Sequence, residues 1–148
     1  MEAWELNELK KRYLNGYKDA EKREKRIMEE IQQLRLDTMF QSLQNDGMPK
    51  GSRRQQDLSD YMSRYDELMD DLLKEKTEAI TKKQEIRNAI SRMEDEDEID
   101  VLVRKYILKQ TWGEIAKALS YTERNVLYIH GKALKHFEIP ETFHSISY

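Results

Sequence analysis

An arginine and an asparagine stand side by side near the start of a predicted C-terminal helix, at Arg124 and Asn125. A guanidinium can donate two hydrogen bonds to the edge of a guanine, and a carboxamide can bond an adenine in the same two-point way. Further along, Lys132 and Lys135 are suited to phosphate groups, which position a protein on DNA without reading its sequence. This order of residue types predicts a helix whose N-terminal turns enter the major groove.

Other side chains between residues 111 and 135 complete the candidate set. Thr111 and the backbone at the start of the preceding helix could hold a phosphate, because helix N-termini bind anions. The alternative interpretation is that all these side chains are the solvated face of a small helical bundle. The candidate DNA-contacting residues are Thr111, Lys117, Thr122, Glu123, Arg124, Asn125, Leu127, Tyr128, Lys132 and Lys135.

Three short helices are predicted to position this set within residues 99–137. The first is IDVLVRKYIL, and the second begins at Thr111, which together with Glu114 matches the capping-box pattern. Thr122 can cap the third helix, which Pro140 follows as a stop signal. The side chains predicted to face inward are Leu102, Val103, Tyr106, Ile115, Ala116, Leu119, Val126, Ile129, Ala133, Leu134 and Phe137.

The connection between the second and third helices is predicted at Ser120–Tyr121. Ala116 is small enough for the two helices to approach closely, and Val126 and Ile129 follow at the spacing that closes a helix-turn-helix core. Glycine is more usual at the position of Ser120. If the backbone there is left-handed, serine costs on the order of 1 kcal/mol.

The N-terminal two thirds of the chain predict two long helices, over residues 3–43 and 57–94. The segment between them contains Gly47, Pro49 and Gly51, which favour a turn. Asp57 or Ser59 could cap the second helix, and Gly16 weakens the first by about 1 kcal/mol relative to alanine.

Apolar and aromatic residues at heptad steps predict that these two helices pack as an antiparallel, coiled-coil-like hairpin. One hairpin has a thin core, so a second copy is expected to pack against it. The predicted fold is therefore all-α, with a hairpin over 1–95, a helix-turn-helix domain over 96–140 and a tail over 141–148. The seam residues are Tyr13, Tyr17, Ala20, Ile27, Ile31, Leu34, Tyr61, Tyr65, Leu68, Leu72, Ala79, Ile86, Ile90 and Met93.

Composition excludes several classes of protein. The 148 residues carry a net charge of −3, and the segment from Ile99 to Tyr148 is slightly basic while the rest is acidic. There is no cysteine, so disulfides and thiol chemistry are impossible. Neither a phosphate-cradling glycine loop nor a credible catalytic triad is present, so we expect no enzyme activity and no cofactor.

Two further patterns bear on metals and membranes. The acidic run MEDEDEID, residues 93–100, is expected to begin a helix, because carboxylates favour the positive end of the helix dipole. His130, His136 and His144 are not arranged as metal ligands in the sequence, so we predict no metal site. No apolar stretch approaches the length needed to span a bilayer, and the N-terminus has no apolar run typical of a signal peptide.

The stretch YTERNVLYIHGKALKHFEIP resembles the promoter-reading C-terminal domain of bacterial sigma factors, and WGEIAKAL is similar to that domain's preceding helix. The resemblance covers residues 99–140 and implies a DNA-binding helix-turn-helix with RNA polymerase as a possible partner. Sigma factors are usually rich in Arg, Glu and Gln at the base-reading positions. Here the corresponding turns include Asn125, Leu127 and Tyr128, so recognition of the usual promoter element is not implied.

The whole chain resembles small phage-encoded regulatory proteins related to the RinA- and ArpU-type activators of late genes. The resemblance is carried by GMPKGS, Gly47–Ser52, followed by DLSDY, Asp57–Tyr61. It implies a phage or prophage transcription regulator that binds double-stranded DNA as an oligomer in the bacterial cytoplasm. Basic residues at the GMPKGS turn are either solvated, or they dock a partner such as RNA polymerase or contact the DNA backbone. They are Lys50, Arg53 and Arg54.

A second hypothesis remains open from the sequence. The sigma-like domain could bind RNA polymerase or a phage packaging component as a protein-interaction adaptor, without reading bases. The acidic net charge and the unusual residues at the base-reading positions favour this alternative. A steep dependence of DNA affinity on salt would favour the first hypothesis.

Overall fold

The computed structural model describes residues 1–44 and 52–144 of the chain. Within these ranges the regular structure is helical and contains no strand, so the predicted all-α class is confirmed. The elements are α1 (Ala3–Leu14), α2 (Lys18–Gln44), α3 (Ser52–Ser91), α4 (Glu96–Leu102), a π-helical turn (Val103–Ile107), α5 (Trp112–Leu119), α6 (Glu123–His136) and α7 (Glu141–His144).

Contacts within the chain form two compact units. The hairpin unit is Lys18–Ala79, and the discontinuous unit joins Met1–Tyr17 to the chain from Ile80 onward. This division differs from the domain boundary near residue 95 that the sequence suggested. The physical reason is that α1 and the last turns of α3 pack with the C-terminal helices.

The hairpin unit contains α2 and most of α3, which run antiparallel as predicted. Arg23 pairs with Glu75 at 2.8 Å, whereas Arg35, further along α2, lies over the ring of Tyr65, earlier in α3. The tip of the hairpin, including Gly47–Gly51 of the GMPKGS motif, lies outside the described residues. The predicted seam residues buried in this unit are Ala20, Ile31, Leu68 and Ala79.

The single helix predicted for residues 3–43 is interrupted after Leu14. The backbone N–H of Gly16 donates to the carbonyl of Tyr13 at 3.0 Å, and a Cβ at residue 16 would lie only 3.0 Å from that oxygen. The tight turn therefore suits glycine. It sends Tyr13 and Tyr17 into the core of the discontinuous unit and not into the hairpin seam.

The second long helix also differs from its predicted bounds. Because α3 begins at Ser52, Asp57 and Ser59 lie inside the helix, and the prediction that one of them caps it is wrong. The helix ends at Ser91, three residues before the predicted end. Its last turns bury Ile86 and Ile90 in the core of the discontinuous unit.

Two clusters of apolar side chains hold the discontinuous unit together. The first joins α1, the end of α3, α4, the π-helical turn and α6, and the second lies between α4, α5 and α6. The predicted inward faces of α5 and α6 are confirmed at the following buried positions: Ile115, Ala116, Val126, Ile129, Ala133, Leu134 and Phe137.

The turn before α6 lies at Ser120–Tyr121, as predicted, and its serine has a left-handed backbone. Ser120 has φ 58° and ψ 39°, and the N–H of Tyr121 donates back to the carbonyl of Ala116 at 2.9 Å. This is the Schellman pattern, in which glycine is preferred because it has no Cβ.

We expect Ser120→Gly to raise the free energy of unfolding of the discontinuous unit by about 0.5–1 kcal/mol, since relief of left-handed strain exceeds glycine's extra chain entropy. Chemical denaturation measures the change. In the control Ser63→Gly, an exposed position inside α3, stability should instead fall by about 0.5 kcal/mol. A loss of stability in both variants would contradict the strain assigned to Ser120.

Candidate nucleic-acid interface

Threonine side chains fix the starts of the two helices that carry the candidate residues. The hydroxyl of Thr111 accepts the N–H of Glu114 at 3.2 Å, and the hydroxyl of Thr122 accepts the N–H of Asn125 at 3.1 Å. Each bond satisfies a backbone donor that has no partner within its helix. The predicted starts of α5 and α6 are therefore confirmed.

All ten candidate residues are exposed. On α6 they cover the side opposite the buried Val126, Ile129 and Ala133, and the apolar pair Leu127 and Tyr128 is 49% and 65% exposed. The first turns of α6 carry Glu123, Arg124, Asn125, Leu127 and Tyr128, and the later turns carry Lys132 and Lys135.

The structure brings two of these residues together on α6. The ammonium group of Lys132 lies 5.6 Å from the ring centroid of Tyr128, one helical turn earlier. A cation over an aromatic face is attracted by the ring quadrupole. The two side chains therefore present one surface that combines positive charge with a flat apolar ring.

The start of α5 is less suited to a phosphate than the sequence suggested. A Cβ built on Gly113 would lie 2.9 Å from a carboxylate oxygen of Glu123, so this carboxylate rests against the first turn of α5. The negative charge faces the end of the helix that attracts anions. Thr111 and Glu123 are thus neighbours, and a phosphate at this point would have to displace the carboxylate.

Two basic side chains just before α5, which the sequence analysis did not single out, lie on aromatic rings. The Lys105 ammonium is 4.3 Å from the Trp112 ring centroid, and the Lys109 ammonium is 5.4 Å from that of Tyr17. Trp112 itself is partly buried and packs against the second apolar cluster. Because Trp112 is the first residue of α5, Lys105 adds positive charge close to the candidate surface.

The C-terminal end of α6 is held by a lysine from α1. The ammonium of Lys10 donates to the carbonyl of Leu134 at 2.7 Å and to that of Lys135 at 3.4 Å. A positive group at this end of a helix is favourable, because the last carbonyls carry partial negative charge. Burial lowers the pKa of Lys10, and the nearby carboxylate of Glu138 opposes that shift.

The buried side of α6 contains a histidine that is enclosed by aromatic rings. Nε2 of His130 is hydrogen-bonded to the hydroxyl of Tyr106 at 2.8 Å, and the Trp112 ring meets the imidazole edge-on at 4.8 Å. Burial, with smaller contributions from Lys11 and Lys105, lowers the pKa of His130 to about 4. At neutral pH the imidazole is therefore uncharged, and it packs in the protein interior between Tyr106 and Trp112.

A second histidine pairs with a carboxylate of the acidic run at residues 93–100. Helix α4 begins after Asp95, whose carboxylate caps it by accepting the N–H of Glu98 at 3.0 Å, so the predicted helix start is confirmed. However, Glu98 is only 3% exposed, and its carboxylate lies 2.8 Å from Nδ1 of His136. This pair joins α4 to the last turn of α6.

Two kinds of feature are absent from the described parts of the chain, residues 1–44 and 52–144. No group of three or more His, Cys, Asp or Glu side chains is arranged to hold a metal ion there. No helix within the same ranges has the length and apolar character needed to cross a membrane.

Comparison with known proteins gives one family relationship for most of these elements. The model of the family described as "Protein of unknown function (DUF1492)" matches residues 41–138. The matched segment is more than half of the chain and includes α3 through α6. No curated protein and no solved structure matches the chain.

Proposed function

The chain belongs to the DUF1492 family, and we propose that it is a sequence-specific DNA-binding transcription regulator of phage or prophage origin. One observation carries the proposal. Two helices with threonine caps, α5 and α6, flank a tight turn, and α6 exposes Arg124, Asn125 and two lysines opposite its buried face. That arrangement suits a helix that docks in the major groove.

The exposed basic and amide side chains have two different roles in this proposal. Arg124 pairs with a guanine and Asn125 with an adenine, in two-point geometry at the N-terminal end of α6. Lys132 and Lys135 contact phosphates and set the register of the helix on the duplex. Lys105, close to the start of α5, is a further phosphate contact.

The resemblances to sigma factors and to phage late-gene activators supply the remaining parts of the proposal. They support RNA polymerase as a second partner and the bacterial cytoplasm as the place of action. They leave the operator sequence to experiment, because the base-reading turns of α6 depart from the sigma pattern at Asn125, Leu127 and Tyr128.

The first experiment is a pull-down of sheared phage and host DNA with the purified protein. Bound fragments are sequenced after a wash at about physiological salt, where the non-specific contribution to binding is reduced. Strong enrichment of one fragment would support base reading and identify the regulated locus. Uniform recovery, or none, would contradict sequence-specific binding.

Two substitutions on α6 should weaken DNA binding in different ways. Arg124→Ala is expected to cost about 1–3 kcal/mol on the enriched fragment and to relax specificity at one base pair, because a base-edge contact is lost. Lys132→Ala should weaken specific and random DNA alike and lower the salt slope by about one. Titrations of both sequences at several salt concentrations measure these effects.

The control for these titrations is Lys25→Ala, which removes an exposed lysine of the hairpin unit. It should leave both the affinity and the salt slope unchanged. If Arg124→Ala reduced binding to specific and random DNA equally, Arg124 would be a phosphate contact and not a reader of bases.

A protein-interaction adaptor is the second candidate function, and two observations favour it. The carboxylate of Glu123 faces the start of α5, where DNA binding would place a phosphate. Leu127 and Tyr128 expose apolar surface on the same side of α6. In this case α6 would bind RNA polymerase or a packaging component, and Leu127→Ala would reduce capture of that protein while DNA affinity stayed negligible.

A further inference from the structure

Helix α3 carries a second stripe of apolar side chains beside the one that faces α2. Met62, Met69 and Leu73 are 46%, 40% and 66% exposed. Each of them directly follows a residue of the predicted hairpin seam, and successive helical residues are about 100° apart around the axis. The stripe therefore lies along one side of the hairpin. The preceding seam residues are Tyr61, Leu68 and Leu72.

The other side of α3 has the opposite character. Between Tyr61 and Leu72, each residue that directly precedes a seam residue is charged and exposed. The contrast shows that, over this length of α3, the exposed apolar side chains lie on one side of the helix. Exposed apolar surface that is gathered on one side is a feature of interaction sites. The charged residues are Asp60, Arg64, Glu67 and Asp71.

Two charged residues fall within the apolar stripe and complete a heptad pattern. We call Met62, Asp66, Met69, Leu73 and Lys76 the second stripe. Their separations are four, three, four and three residues, which is the spacing of a coiled-coil seam. The second stripe is therefore suited to a helix, and its two charges specify which helix.

The order of residues in the second stripe is self-complementary. If two copies of α3 run antiparallel around a two-fold axis beside residue 71, Met69 faces Leu73 of the other copy. Asp66 then faces Lys76, and both contacts occur twice because the interface is isologous. A parallel pair would instead place Asp66 beside Asp66 and Lys76 beside Lys76, which like-charge repulsion disfavours.

We infer that the second stripe binds the same stripe of a second copy of this chain, with the two α3 helices antiparallel. Lys76 lies 3.5 Å from Glu24 of its own hairpin, with its side chain 60% exposed. An ammonium group has three donors, so Lys76 serves Glu24 and the other copy's Asp66 together. The inference uses the hairpin unit alone and does not depend on DNA binding.

Charge reversal tests the pairing in the full-length protein. Asp66→Lys and Lys76→Asp each place like charges opposite one another twice, so each should raise the dimer dissociation constant about tenfold or more. The double variant restores opposite charges and should return the constant to within about threefold of the wild-type value. Sedimentation equilibrium without DNA measures the constants, and circular dichroism verifies helix content.

Asp71→Lys is the matched control, since it makes the same charge change on the opposite side of α3 and should leave the dissociation constant unaltered. A wild-type protein that remains monomeric over the micromolar range would overturn the proposal. So would a double variant that dimerises no better than the single variants, because the charges would then not face each other.

Disulfide trapping tests the antiparallel register separately. The chain has no cysteine, so Met69→Cys and Leu73→Cys each introduce the only thiol. Oxidation of a mixture should yield cross-linked heterodimer in clear excess over the homodimers of either variant, since residue 69 faces residue 73. Efficient cross-linking of Met69→Cys to itself would indicate a parallel pair and overturn the proposed arrangement.

Discussion

Replacing Phe137 with alanine is expected to lower the free energy of unfolding of the discontinuous unit by about 3–5 kcal/mol. The ring is 1% exposed, directly follows α6, and lies 5.9 Å from the Tyr13 ring of α1. Removing it leaves a cavity where α1 and α6 meet, and the surrounding helices can close that cavity only in part. Denaturant unfolding followed by near-ultraviolet circular dichroism measures the loss.

The same substitution at Phe40 provides the control. Phe40 is on α2 of the hairpin unit and is 61% exposed, so Phe40→Ala should change stability by no more than about 0.5 kcal/mol. Phe137→Ala should also reduce DNA affinity if the proposed function is correct, because α6 loses its support. Equal effects of the two substitutions would contradict the packing described for the discontinuous unit.

Acid should destabilise the discontinuous unit through His130. Its pKa is about 4 in the folded protein, against 6.5 for an unperturbed histidine. Above pH 6.5 the imidazole is neutral in both the folded and the unfolded state, so its titration does not change the free energy of unfolding. Between pH 6.5 and 4 the histidine is protonated in the unfolded chain and still neutral in the folded chain. The free energy of unfolding therefore decreases as the pH is lowered through this range, by up to about 3 kcal/mol.

Comparison with His130→Gln isolates this contribution from the titration of carboxylates. Glutamine does not titrate in this range and retains a group that can hydrogen-bond to the hydroxyl of Tyr106. Unfolding free energies measured from pH 7 to 4 should therefore fall less steeply in the variant than in the wild type. Parallel pH profiles would show that the pKa of His130 is the same in the folded and unfolded states and would contradict the effect of burial.

Local features of the C-terminal helices were predictable because neighbouring residues determine them. Thr111 and Thr122 satisfy backbone groups three residues away, and the inward face of α6 follows the helical period. The place of the turn at Ser120–Tyr121 was predicted from the same local signals, whereas its left-handed backbone was considered only as a condition. The all-α class and the antiparallel hairpin were likewise predictable. They follow from the helical spacing of apolar residues and from the short segment with Gly47, Pro49 and Gly51 that separates the two long helices.

Contacts between distant segments were not predictable from the same patterns. Tyr13 and Tyr17 fit a heptad stripe. Such a stripe shows which face of a helix is buried, but it does not show which other helix packs against that face. Glu98 belongs to an acidic run of the kind that is usually exposed to solvent. It is nevertheless buried, because it pairs with His136 of another helix. The approach of Glu123 to Gly113 depends on how α5 and α6 pack, which periodicity does not specify.

The pairing of Lys10 with Leu134, 124 residues later, also has a consequence for folding during translation. The ribosome synthesises α1 first, but the carbonyls and core side chains that enclose it emerge only with α6. Hairpin contacts such as Arg23 with Glu75, 52 residues apart, become available much earlier. A nascent chain therefore exposes the apolar face of α1 until α6 has left the exit tunnel, which makes this segment a natural early client of a chaperone.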